Sequence, residues 1–141
     1  MNGLSSPLSP GPLRLAGYAA LFDVADGARD TIRPGAFRRT LAGRGKPLPL
    51  LWQHRPGQRI GWIERVEEDR RGLRVIARLD DPRTRAAAAL HSREISGLSF
   101  GYRARQYERS GKGRLLHAID LFEISLVTHP LQHGARVHMI A

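Results

Sequence analysis

The sequence predicts a mostly β domain of the α+β class, an antiparallel barrel or sandwich with one or two helices attached. Three observations point there. Several segments alternate apolar and polar residues at a period of two, turn residues separate them at short intervals, and one stretch alone, RTRAAAALHSR, has strong helical composition. The 141 residues suffice for one core. They divide into an N-terminal arm, residues 1–12, rich in proline, serine and glycine, and a single domain, residues 13–141.

The elements follow in order. LRLAGYAALF (13–22) reads as a strand with a bulge at Gly17. After the polar loop DVADGARD, Pro34 and Gly35 open a short helix that sets Phe37 and Leu41 on one face and stops at Gly43. LPLLWQH (48–54) is extended, with Leu48, Leu50, Trp52 and His54 on one side. A hairpin follows, RIGWIERVEE (59–68) and LRVIARLD (73–80), turning at Asp69-Arg70-Arg71-Gly72. Asp81-Pro82 predicts a helix start and residue 93 its end. Residues 97–107 alternate again, with Phe100, Tyr102 and Ala104 on one side and Ser99, Gly101, Arg103 and Arg105 on the other. A turn at residues 110–113 leads into the longest strand, 114–128. The tail PLQHGARVHMIA is a short helix or strand.

Composition excludes several kinds of chemistry. There is no cysteine, hence no disulfide, thiolate nucleophile or cysteine-based zinc site, which is compatible with a reducing cytoplasm. No apolar run approaches the ~20 residues of a membrane-spanning helix. Twenty-three Lys and Arg against 13 Asp and Glu give a formal charge of +10, nearly all of the excess arginine and spread along the chain. Such a surface attracts nucleic acid, acidic protein or membrane headgroups without selecting among them.

Gly97-Leu98-Ser99-Phe100-Gly101 fits the serine-hydrolase pattern G-x-S-x-G. The α/β-hydrolase elbow needs a strand before the serine and a helix after it, and here that order is reversed, so the elbow reading fails. A nucleophile carried on a strand is still open, as is an ordinary serine. A nucleophile needs a base within hydrogen-bond reach and a group to orient that base. Of the six histidines, His54 closes an extended segment at a sheet rim, His91 ends the helix and His117 is mid-strand. His129, His133 and His138 show no metal-ligand spacing.

Seven blocks in order, GYAALFDV, TIRPGAF, PLLWQH, RIGW, RGLRVIARL, ISGLSFGY and LFEISLVTHP, resemble the prohead (capsid maturation) proteases of tailed phages. That family is similar in fold to the herpesvirus assemblin proteases, and related proteins occur in gene transfer agents. The resemblance implies a herpesvirus-protease-like antiparallel β-barrel surrounded by a few helices, acting as a serine endopeptidase. Ser99 would be the nucleophile and His54 its general base. Glu123, in LFEISLVT, would orient His54, with His117 as the competing third member and a plain glutamate–arginine pair as the structural alternative. Arg136 and the amides of residues 132–136 would hold the oxyanion. The resemblance implies no cofactor or metal, and it implies a homo-oligomer cleaving scaffold, major capsid protein and itself inside the assembling prohead in the bacterial cytoplasm. Two other readings stand beside it. One is a catalytically silent assembly protein of the same fold. The other is a basic nucleic-acid-binding barrel, against which Phe100 and Tyr102 point away from Arg103 and Arg105.

Overall fold

The computed structural model describes residues 12–141, so the expected arm lies almost wholly outside the described residues. The elements are β1 (Leu13–Leu21), β2 (Asp30–Ile32), α1 (Arg38–Ala42), β3 (Pro49–Trp52), β4 (Arg55–Glu68), β5 (Gly72–Leu79), α2 (Arg85–His91), β6 (Gly97–Ser110), β7 (Gly113–Val127) and β8 (Val137–Ile140). The sheet runs β2-β7-β3-β4-β5-β1-β8, with β6 on the other edge of β7. It curls until its ends meet at a bridge between Gly97 and Arg136, where Leu98 N–H donates to Ala135 O (2.9 Å) and Val137 N–H to Ser96 O (2.8 Å). The curled, barrel-like sheet with few helices agrees with the expected class. The pairings are not all antiparallel, because β2 and β3 both run parallel to β7.

Burial follows the predicted alternation where the strands are regular. In β5, Leu73, Val75, Ala77 and Leu79 are buried while Arg74, Ile76 and Arg78 are half-exposed. The β4–β5 turn forms as expected, with the Asp69 carboxylate accepting the amides of Arg71 and Gly72. Phe22, Phe37 and Phe100 meet inside, with ring centroids 6.3 and 5.6 Å apart. Phe37 precedes α1, and the Glu68 carboxylate accepts the amides of Gly35 and Phe37.

Several elements differ from the sequence reading. β2 falls at the end of the expected loop and before the expected helix. It has one buried apolar residue, Ile32, and is held by Asp30, whose carboxylate takes two bonds from Arg114 (2.8 and 2.9 Å) and one from the Tyr102 hydroxyl (2.6 Å). Asp81 caps a turn and not the helix, accepting the Arg83 amide. The α2 cap is Thr84, whose hydroxyl accepts from Ala87 N–H. α2 ends at His91, two residues early, with Arg93 at positive φ. β4 begins at Arg55, inside what read as a loop, and its register against β3 jumps over residues 56–58. The irregularities near Gly17 lie beside it, between Ala16 and Gly17 on β8 and between Tyr18 and Ala20 on β5. A side chain at Gly17 would run into the carbonyl of Arg136. The tail forms β8.

Candidate active site

The site is built around β7, which has β6 on one edge and β3 on the other. Ser125 on β7 lies opposite Ser99 on β6 and opposite Leu51 on β3. Residues opposite one another in neighbouring strands share a face, as do residues two apart in one strand. Ser99, Gly101, Glu123 and Ser125 therefore form one patch, with Gly101 facing Glu123. Phe100 points the other way, into the core. Ser99 is itself nearly buried, at 3% exposure.

His54 reaches this patch from a tight turn. Trp52 pairs with Arg55, so Gln53 and His54 are the two central residues of a hairpin, at φ of 52° and 59°. Both stand in the left-handed region that glycine or asparagine usually fills, at a cost of about 1 kcal/mol or more each. Specific bonds hold the turn there. Gln53 N–H donates to Leu126 O (3.0 Å), extending the β3–β7 ladder. The Gln53 side-chain amide donates to Thr128 Oγ1 (2.7 Å) and accepts from Thr128 N–H (3.1 Å). His54 N–H donates to Ser125 Oγ (3.1 Å). Strain retained by such a set of contacts is a mark of functional positions.

Glu123 completes the cluster. Its Oε1 lies 2.5 Å from His54 Nδ1, and its Oε2 accepts from the Ser125 hydroxyl at 2.7 Å. The carboxylate is mostly buried and the imidazole about two-fifths exposed. This bond raises the His54 pKa above its ordinary value, against partial burial, which lowers it; the negative charge of Glu123 adds to the rise. Glu123 makes no ion pair with arginine among the described residues.

The glycines of the G-x-S-x-G pattern have packing reasons. A Cβ on Gly101 would sit 2.6 Å from Glu123 Oε1, because the carboxylate lies across that bare backbone. A Cβ on Gly97 would meet the carbonyl of Val127 and the ring of Pro130, at 2.6 and 2.7 Å. The pattern marks a strand beside a carboxylate and a tight crossing, with no elbow.

His54, Glu123 and Ser99 are thus brought to one region, although no hydrogen bond joins Ser99 to His54 among the described residues; such bonds often tighten only when substrate binds. His117 is not part of the cluster. It bonds Glu108 Oε2 at 2.8 Å on the exposed stretch of the β6–β7 hairpin. Counted in twos along an unbroken strand, His117 falls on the same side as Glu123. That count fails because β7 carries unpaired residues at Phe122 and at His117 itself, between the pairs Glu123–Gly101 and Leu121–Tyr102 and between Ala118–Gln106 and Leu116–Tyr107. Asp120 pairs with Arg103 and Arg105. Arg136 pairs through its backbone with Gly97, two residues before Ser99, and its guanidinium bonds His133 O (2.8 Å) and Ser96 Oγ (3.2 Å). No group of residues suited to a metal ion occurs among the described residues. Sequence reasoning missed Ser125, Gln53 and the role of Gly101. The only signals were the E-x-S spacing in LFEISLVT and the glycine itself.

The chain is similar to known proteins in sequence and in fold. The chain is 30% identical over 128 residues to the prohead protease of Enterobacteria phage HK97, covering 86% of this chain and 57% of that protein. It is 28% identical over 102 residues to the capsid polyprotein of Pseudomonas phage PAJU2, covering 64% of this chain and 15% of that one. The chain thus spans little more than half of the first relative and a small part of the second. A solved structure of Kaposi's sarcoma-associated herpesvirus protease, in complex with a hexapeptide phosphonate inhibitor, shares the fold with a TM-score of 0.63 at 15% identity, covering 93% of this chain and 65% of that chain. A family model described as caudovirus prohead serine protease matches residues 8–141. With that match spanning all the described residues, this chain belongs to the caudovirus prohead serine protease family.

Proposed function

We propose that this chain is a serine endopeptidase of prohead maturation in which Ser99 is the nucleophile, His54 the general base and Glu123 the group that orients His54 and stabilises its imidazolium. The observation that carries the reading is the 2.5 Å contact between Glu123 Oε1 and His54 Nδ1, on the face of the sheet that also carries Ser99. A carboxylate accepting from Nδ1–H leaves Nε2 with the lone pair and stabilises the imidazolium formed when Nε2 takes a proton.

The chemistry is acyl transfer. Ser99 Oγ attacks a peptide carbonyl while its proton passes to His54 Nε2. The tetrahedral intermediate collapses, the C–N bond breaks, and the imidazolium protonates the leaving amine. Water, deprotonated by His54, then attacks the acyl-enzyme and releases the second product with Ser99 restored. Backbone amides of residues 132–136, with Arg136, are the proposed oxyanion donors, supported by the pairing of this segment with Gly97. No step calls on a cofactor. The substrates are the scaffold and the major capsid protein, with self-cleavage, by a homo-oligomer inside the assembling prohead; the likeness to a phage prohead protease and a capsid polyprotein supports this setting.

The test is coexpression with the cognate capsid and scaffold proteins, comparing wild type with Ser99→Ala by intact mass. Shortened capsid protein with wild type and full-length protein with the variant is the expected result. Full-length protein in both, in assembled proheads that contain the chain, overturns the reading in favour of a silent assembly protein.

A further inference from the structure

We infer that Ser125 is a positioning residue of this site, a buried hydroxyl that fixes both the place and the tautomer of His54. The inference rests on the protease reading above and goes one residue deeper into it.

Ser125 is fully buried near the C-terminal end of β7, and its hydroxyl is the one side-chain group among the described residues bonded to both His54 and Glu123. A serine hydroxyl has one proton to give and two lone pairs to accept with. His54 N–H can only donate, so Ser125 Oγ accepts from it, and the hydroxyl proton goes to Glu123 Oε2. That assignment divides the carboxylate. With Oε2 occupied, Oε1 is the oxygen presented to His54 Nδ1, where it selects the Nδ1–H tautomer. One atom therefore fixes the backbone from which the imidazole hangs and the carboxylate that aims it.

A buried serine satisfied by two bonds would look the same if it served stability alone, so the two roles must be separated by what they change. His54 holds a left-handed backbone conformation in the turn, and its amide bond to Ser125 is one of the tethers that keep it there. Release of that tether and of Oε2 together loosens the Nδ1 contact. Loss of stability alone leaves the ionisation and tautomer of His54 in the folded molecules as they were. Supporting groups around functional side chains commonly carry effects of about 10–100-fold when removed.

The experiment compares wild type, Ser125→Ala, Glu123→Ala and the double variant. It measures the pH dependence of Ser99 phosphonylation by a fluorophosphonate probe, and the ring nitrogens of His54 by 15N NMR. Ser125→Ala is expected to slow phosphonylation about 10–100-fold, to move its acidic limb to lower pH, and to turn a single Nδ1–H tautomer into a mixture. In the Glu123→Ala background the same change is expected to cost less than about threefold, as coupled residues behave. A Ser125→Ala protein with wild-type rate, acidic limb and ring spectra overturns the inference, as does an equal loss in both backgrounds. If Ser125→Ala does not fold, the wild-type spectra carry the test: an Nδ1–H tautomer supports the inference and an Nε2–H tautomer overturns it. Absence of both capsid cleavage and Ser99 labelling in wild type refutes the protease reading instead, and the ring spectra still decide what Ser125 does to His54.

Discussion

Gly101→Ala is a one-methyl change whose effect on the site can be worked from distances. The new Cβ would stand 2.6 Å from Glu123 Oε1 and 3.1 Å from its Cγ and Cδ, whereas real Cβ contacts essentially never fall below 3.0 Å and seldom below 3.4 Å. The carboxylate must therefore retreat by about 0.4–0.8 Å, the difference between 2.6 Å and that range. Neither of its anchors moves easily, since Ser125 is fully buried and the His54 turn is tied to Leu126 of β7 and to Thr128 just beyond it. The retreat comes out of the 2.5 Å bond to His54 and the 2.7 Å bond to Ser125. Misplacement by about 1 Å costs on the order of 10²-fold in rate, and full loss of the third triad member about 10⁴-fold, so a retreat of under about 1 Å should slow Ser99 phosphonylation by about 10–10²-fold. The assay is the rate of labelling by a fluorophosphonate, followed by intact mass, with thermal unfolding to verify that the variant is folded. In a Glu123→Ala background, where no carboxylate is left to displace, Gly101→Ala should cost less than about threefold. A folded Gly101→Ala protein labelled within about threefold of wild type would refute the argument.

Other outcomes follow from the same geometry. In the proposed mechanism neutral His54 is the base, so the rate should rise as pH passes upward through its folded pKa, which Glu123 holds above the ordinary value. Glu123→Gln removes the charge, so the acidic limb of the pH–rate profile should move to lower pH while the plateau falls about 10³–10⁴-fold; an unmoved limb contradicts the assignment. His117→Ala, on the exposed hairpin beside Glu108, should leave both limb and plateau unchanged in the same measurement. Asp30→Asn should lower stability by about 2–3 kcal/mol, because it discharges the partner of Arg114 within a mostly buried cluster, and thermal melts should show a fall of roughly 6–12 °C. The Arg114 bond first, with the Tyr102 hydroxyl adding to it, holds the Asp30 carboxyl below its usual range against burial, which raises it. Its contribution is therefore present above the unfolded pKa of about 4 and lost as pH falls through the folded value. Wild type should show that loss in acid melts and Asp30→Asn should not.

Most strand positions were legible because β5 and β6 alternate at a period of two, β1 is an apolar run, and the β4–β5 turn announces itself through Asp69 and Gly72. β2 was illegible for a physical reason. Its place is set by the ion pair of Asp30 with Arg114, 84 residues away, which no local period records. The parallel pairing of β3 with β7 is likewise a long-range fact. In the site, Ser99, His54 and Glu123 were reachable through a resemblance of motifs, whereas residue alternation alone admitted His117. The bulges at Phe122 and His117 break the parity on which that alternative rested.

Ser125 and Gly101 were hidden because their function lies in what they do to Glu123. Taken alone, one is a strand serine and the other half of a commonplace pattern. Once the carboxylate is in place, the glycine supplies the volume it occupies and the serine the bond that divides its oxygens. On the proposed assignment of Ser99, this explains why a G-x-S-x-G sequence can serve a nucleophile on a strand. In an elbow the glycines let the backbone turn sharply about the serine. Here the strand continues through Ser99 to Ser110, and the second glycine makes room for the Glu123 carboxylate on the neighbouring strand, the group proposed to orient the base. The same five-letter pattern thus meets two different steric demands, and the element that follows the serine, strand or helix, tells which.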